Sequence, residues 1–182
     1  MSAIMSVQET LPLEGADPCQ FVVLSEDSAA HESAMEVCGG VVARFDSELA
    51  FAFSFWRFKD LRDPATAHWA AEAVARADIL LFSLQGPELS PETQMWLEAC
   101  IQPRTKTEGA LALMVTKLPG ANPSIEALLY RMQYVANRLR MDFLPLVPLP
   151  EGASFGTSMN WPAALLNQAR EEPGSNHWGL NE

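Results

Sequence analysis

Residues 77–99 read ADILLFSLQGPELSPETQMWLEA, and this stretch decides the fold class. Ile79-Leu80-Leu81-Phe82 is apolar at every position, as a strand buried on both faces must be. Gly86-Pro87 then breaks the run. Ser90-Pro91-Glu92 supplies a hydroxyl cap, a first-turn proline and an acidic group suited to the positive end of a helix dipole. Trp96, Leu97, Cys100 and Ile101 are the packing positions of the helix that follows, so a buried strand, a turn and a helix follow one another within two dozen residues.

The same rhythm extends in both directions. Toward the amino terminus, Asp63-Pro64 starts a helix packing through Trp69, Ala70, Ala73, Val74 and Ala77. Before it, residues 49–56 are apolar on both alternating sets, which predicts a strand covered on both faces. Ala30, Ala34, Cys38, Val41 and Phe45 form one helix face, interrupted by Gly39-Gly40, where the helix is expected to bend, end early or meet another backbone. Phe21-Val22-Val23-Leu24 is the first strand, and Ser25 to Ser28 the cap after it. Toward the carboxyl terminus, residues 102–108 form a polar loop and residues 110–115 a fourth strand. After Asn122-Pro123, Ile125, Leu128, Leu129, Met132, Ala136 and Leu139 mark a long amphipathic helix, and residues 141–147 a fifth strand. The expected fold is a three-layer α/β/α, flavodoxin-like domain with a five-stranded, mostly parallel sheet in the order 2-1-3-4-5, spanning residues 21–148. A ligand crevice is expected at the carboxyl ends of strands one and three. Residues 1–20 form a polar extension. Residues 149–182, with Phe155, Trp161 and Trp178, form a second extension expected to dock on the domain, because exposed large aromatics are costly.

Composition narrows the partners. Of 182 residues, 23 are acidic and 12 basic, and the formal charge of −11 repels phosphate backbones and anionic membranes, so neither nucleic acid nor membrane is an expected partner. A complementary protein, or a second copy of the chain, is. Residues 1–20 lack the basic and apolar regions of a signal peptide, no apolar run approaches a membrane span, and the chain reads as cytoplasmic. Cys19, Cys38 and Cys100 are scattered, and His31, His68 and His177 belong to no HExxH or ligand cluster, so no metal site is expected.

Residues 77–99 resemble the third-strand region of flavodoxin-like quinone and FMN reductases at Ala77, Asp78, Ser83, Gly86, Pro87, Glu88, Pro91 and Trp96. The resemblance implies FMN as a cofactor, with the loop Ser83, Gly86, Pro87 and Glu88 against the flavin ring and Ser25, Ser28 and Ser33 around its phosphate. The chain departs from that pattern after the first strand, where no glycine lies between Leu24 and Ser33 and where Glu26 and Asp27 place negative charge beside the phosphate. Glu26-Asp27 also resemble the acidic pair of bacterial receiver domains, yet Phe82-Ser83-Leu84 lacks the aspartate those domains phosphorylate. Glu26, Asp27, Trp56, Arg57 and Trp96 are expected around the crevice. Arg57, Lys59 and Arg62 offer anion recognition there, and Trp56, Phe58, Trp69 and Trp96 an aromatic lining. No GxSxG, GxxxxGK[ST] or GxGxxG motif is present. The leading functional expectation is a noncatalytic protein-interaction or regulatory module; the alternative is an FMN-dependent oxidoreductase.

Overall fold

The computed structural model describes residues 17–100, 104, 106–117 and 123–147. The expected docking of residues 149–182, with Phe155, Trp161 and Trp178, lies outside the described residues, as do Ile101 and residues 1–16.

Five strands alternate with four helices: β1 (Cys19–Ser25), α1 (Ser28–Phe45), β2 (Phe51–Arg57), α2 (Pro64–Arg76), β3 (Ile79–Leu84), α3 (Pro91–Cys100), β4 (Ala110–Val115), α4 (Pro123–Leu139) and β5 (Asp142–Leu146). A single-turn 3-10 segment, Phe58–Arg62, bridges β2 and α2. The sheet runs β2-β1-β3-β4-β5 with every pair parallel, so the three-layer flavodoxin-like expectation holds. β1 opens at Cys19, two residues before the apolar run begins. No helix among the described residues is long and apolar enough to cross a membrane.

Side-chain alternation divides the core into two layers. Val22, Leu24, Leu80, Phe82, Leu84, Leu111, Leu113 and Val115 point to the face covered by α2, α3 and α4, where Val74, Leu97, Leu128 and Met132 meet them. Phe21, Val23, Ile79, Leu81 and Ala112 point to the opposite face, where α1 contributes Ala34, Cys38 and Val41. β3 is buried at all six positions, because β1 and β4 flank it and helices cover both faces.

Three readings of the sequence are corrected. β2 is the edge strand, and none of its residues is fully buried. Phe51, Phe53 and Phe55 stack along the α1 face with ring centroids 5.9 Å apart, while Ala52, Ser54 and Trp56 face the other way. α1 runs without interruption through Gly39 and Gly40, which are exposed with nothing near enough to meet a side chain, so neither marks a close backbone approach. Trp69 is 59% exposed rather than packed, while Ala70 and Val74 on the same helix are buried.

Candidate functional site

In a parallel sheet the carboxyl ends of the strands and the amino ends of the following helices meet on one side of the molecule. Here that side carries the loops after β1, β2 and β3. A partly open cavity of about 180 Å³ sits among them, lined by Glu26, Phe58, Lys59, Arg62, Leu84, Glu88, Leu89, Ser90, Glu92 and Thr93. Its floor is apolar, from Leu84 at the end of β3, Leu89 and Phe58. Its rim carries both signs of charge. Among the described residues, Lys59 makes no ion pair, and Arg62 faces the Glu92 carboxylate without a direct salt bridge.

Helix starts shape the rim. Asp27 caps α1 by accepting from the Ala30 backbone N–H at 2.9 Å, and Asp63 caps α2 by accepting from the Thr66 N–H and hydroxyl, both at 2.8 Å. The Asp63 carboxyl is held below its ordinary range, chiefly by the Thr66 backbone N–H. Ser90 caps α3, its hydroxyl accepting from the Thr93 N–H at 3.2 Å and pairing with the buried Thr93 hydroxyl at 3.0 Å. Glu92 in that first turn is likewise held low, by its own backbone N–H and then by the Ser90 hydroxyl.

At the carboxyl ends of β1 and β3 the polar groups are bonded within the chain. Ser25 and Ser83 are register partners on adjacent strands, both fully buried. The Ser83 hydroxyl donates to the Ala30 carbonyl at 2.7 Å and the Ser25 hydroxyl to the Trp56 carbonyl at 3.4 Å. The Glu26 N–H donates to the Ser83 carbonyl at 3.0 Å, and the Glu26 carboxylate accepts from the Gln85 N–H at 2.7 Å. The Ala30 backbone donor in the first turn of α1 and the Gln85 donor after β3 are therefore already held by carboxylates of the first-strand loop.

The residues read from the sequence are distributed accordingly. Glu26 and Glu88 line the cavity, with Lys59, Arg62 and Phe58; Ser25, Ser28, Ser33, Ser83, Gly86 and Pro87 do not. Ser28 is exposed at the start of α1 and Ser33 lies a turn further on. Asp27 is spent on its cap, Arg57 pairs with Asp60 at 3.8 Å, and Trp56 donates to the Ser54 hydroxyl at 3.3 Å. Trp96 bridges helices instead, its indole N–H donating to the Ala67 carbonyl at 3.2 Å. Of the four expected aromatics only Phe58 reaches the cavity. Leu84, Leu89, Ser90, Glu92 and Thr93 went unread as lining residues; the Ser-Pro-Glu cap was their one signal. No three His, Cys, Asp or Glu side chains form a metal-holding group among the described residues.

A phosphate dianion of FMN at the first-strand loop would meet the Glu26 and Asp27 carboxylates, and the nearby Ser25 and Ser83 hydroxyls are buried and engaged, whereas the Ser28 hydroxyl is exposed.

Two solved structures are similar to this chain. A general stress protein 14 from Treponema denticola, solved in complex with FMN, matches with a TM-score of 0.43 and 13% identity over 71% of this chain and 85% of its own. A thermophilic tryptophan halogenase from Streptomycin violaceusniger matches with a TM-score of 0.42 and 15% identity over 83% of this chain and 99% of its own. No family model and no curated protein matches the sequence.

Proposed function

We propose that this chain is a noncatalytic flavodoxin-like module that works by binding a protein partner or by regulating one, and that its carboxyl-end crevice does not serve a flavin. One observation carries the reading: the loop after β1 presents the Glu26 and Asp27 carboxylates, Asp27 holding the Ala30 backbone donor and Glu26 reaching the Gln85 donor after β3. A flavin phosphate at that loop would meet the repulsion of both carboxylates, and would have to displace Asp27 to reach the Ala30 donor.

The rim supports the same reading. Lys59, Arg62, Glu88 and Glu92 present charges of both signs around an apolar floor, an arrangement that complements a folded partner's mixed polar rim. An oxidoreductase of this fold would leave the electron transfer to its cofactor and use the protein to hold and tune it. The visible absorbance of natively purified full-length protein tests the choice: the expected result is a colourless protein, and a stoichiometric flavin spectrum would overturn it in favour of an FMN-dependent enzyme.

A further inference from the structure

α4 buries Leu128, Met132, Val135, Ala136 and Leu139 against the sheet, and its opposite face is unusual for a solvated helix. Tyr130 is 81% exposed and Tyr134 54%, both among the exposed large hydrophobic side chains of the described residues. They stand at i and i+4, so they share one ridge of the helix with Glu126 before them and Arg138 after them. The Arg138 guanidinium donates to the Tyr134 hydroxyl at 2.8 Å and lies 5.8 Å from its ring centroid, which holds the ring and the charge side by side. Glu126 makes no ion pair among the described residues, nor does Arg138. Twelve positions separate them, about 18 Å of helix, so they cannot meet within one chain.

We propose that this ridge is the contact surface of a symmetric dimer, its occupant being α4 of a second copy of this chain. The argument is self-complementarity. An antiparallel pair of α4 helices related by a twofold axis midway between Tyr130 and Tyr134 sets each Tyr130 beside the partner's Tyr134. The same axis sets each Glu126 beside the partner's Arg138, so one operation pairs both aromatics and satisfies both unpaired charges twice over. Ala127, also exposed on this face, is small enough to let the backbones approach. Ridges made of i and i+4 residues pack in the commonest crossing class of globular helices, with the tyrosines at the centre of the contact and the long Glu126 and Arg138 side chains at its ends. Tyrosine and arginine are the residue types that dominate binding energy at interfaces, whereas aspartate and glutamate, which govern the net charge of this chain, are depleted there. A single helix pair is a small interface, so the dimer is weak, with a dissociation constant on the order of tens of micromolar.

This inference deepens the interaction-module reading, and the two fail separately: a flavin spectrum overturns the proposed function and leaves the dimer standing, while a monomer overturns only the dimer. The test is sedimentation velocity of the full chain over a concentration series. The wild type is expected to pass from monomer to dimer. Glu126→Arg and Arg138→Glu are each expected to weaken self-association about tenfold, because each places like charges together at both ends of the contact. Mixed in equal amounts, the two variants pair Arg with Glu at both ends, and a heterodimer of near wild-type affinity should appear. Restored association on mixing also shows that both variants are folded. A wild type that stays monomeric throughout the series, a dimer indifferent to both reversals, or a mixture that fails to restore association would each overturn the proposal.

Discussion

The two ends of the sheet handle charge in opposite ways. At the amino end, Arg104 is 6% exposed and spends its guanidinium on three backbone carbonyls: Ala77 at 2.6 Å, Glu108 at 2.9 Å and Leu139 at 3.3 Å. It thereby ties the end of α2, the loop before β4 and the end of α4 into one corner. Burial lowers its pKa and the nearby Asp78 carboxylate raises it, the burial being the larger influence. Asp78 in turn accepts from the Gln20 N–H at 2.8 Å and from Lys106 at 2.6 Å. At the carboxyl end, Lys59, Arg62 and Glu88 surround an open cavity and are exposed. Charge that is buried and satisfied by backbone holds a fold together; charge left at a rim is available to something else.

Mutations at the two ends should therefore differ in kind. The largest expected effect is that of Arg104→Ala, which orphans three carbonyls in a buried corner and should cost about 3 kcal/mol in urea unfolding. Gly109→Ala comes next, at about 2 kcal/mol. Gly109 has φ near 153°, and a side chain there would come within 2.8 Å of the Asp78 carbonyl oxygen and 3.0 Å of the Arg104 guanidinium. At the carboxyl end, Asp27→Ala removes the α1 cap and should cost about 1 kcal/mol. Lys59→Ala and Arg62→Ala should change stability by less than about 0.5 kcal/mol. A loss at Lys59 or Arg62 matching that at Arg104 would erase the contrast between the ends.

Acid titration sharpens the comparison with the smallest effect. Asp63 caps α2 and Glu92 stands in the first turn of α3, and both have folded pKa values below their ordinary 3.8 and 4.5. Depressed carboxylates contribute stability that is present above the ordinary value and lost as pH falls through the folded one. Thermal unfolding followed from pH 7 downward should thus show Asp63→Asn flattening the acid side of the profile. An unchanged profile in that variant would remove the Asp63 cap from the account.

The fold was legible because its signals are local. Four consecutive buried positions at Ile79 to Phe82 and a Ser-Pro-Glu helix start need no tertiary information to be recognised. The same holds for most of the long stripe of α4: Leu128, Met132, Ala136 and Leu139 are buried as periodicity expects, while Ile125 and Leu129 are half-buried and Val135 is buried outside that reading. What failed depends on neighbours. An aromatic run cannot announce that β2 will lie at the sheet edge, and Trp69 and Val74 look alike to a periodicity argument until α2 is rotated onto the sheet. Arg104 carried no signal, because its partners come from three separate elements and are all backbone carbonyls. At the crevice, the acidity of Glu26 and Asp27 was legible. Their capture of the Gln85 and Ala30 donors was only half so: Asp27 is a local cap, whereas Glu26 reaches across to the loop after β3.

The most direct test of the central claim is a fluorescence titration of FMN with the full-length protein. Carboxylates at the phosphate position predict no saturable quenching up to about 100 μM protein, a concentration at which even a weak specific site would be well populated. Stoichiometric, saturating quenching in the micromolar range would contradict the account, because it would require a phosphate to settle beside the Glu26 and Asp27 carboxylates.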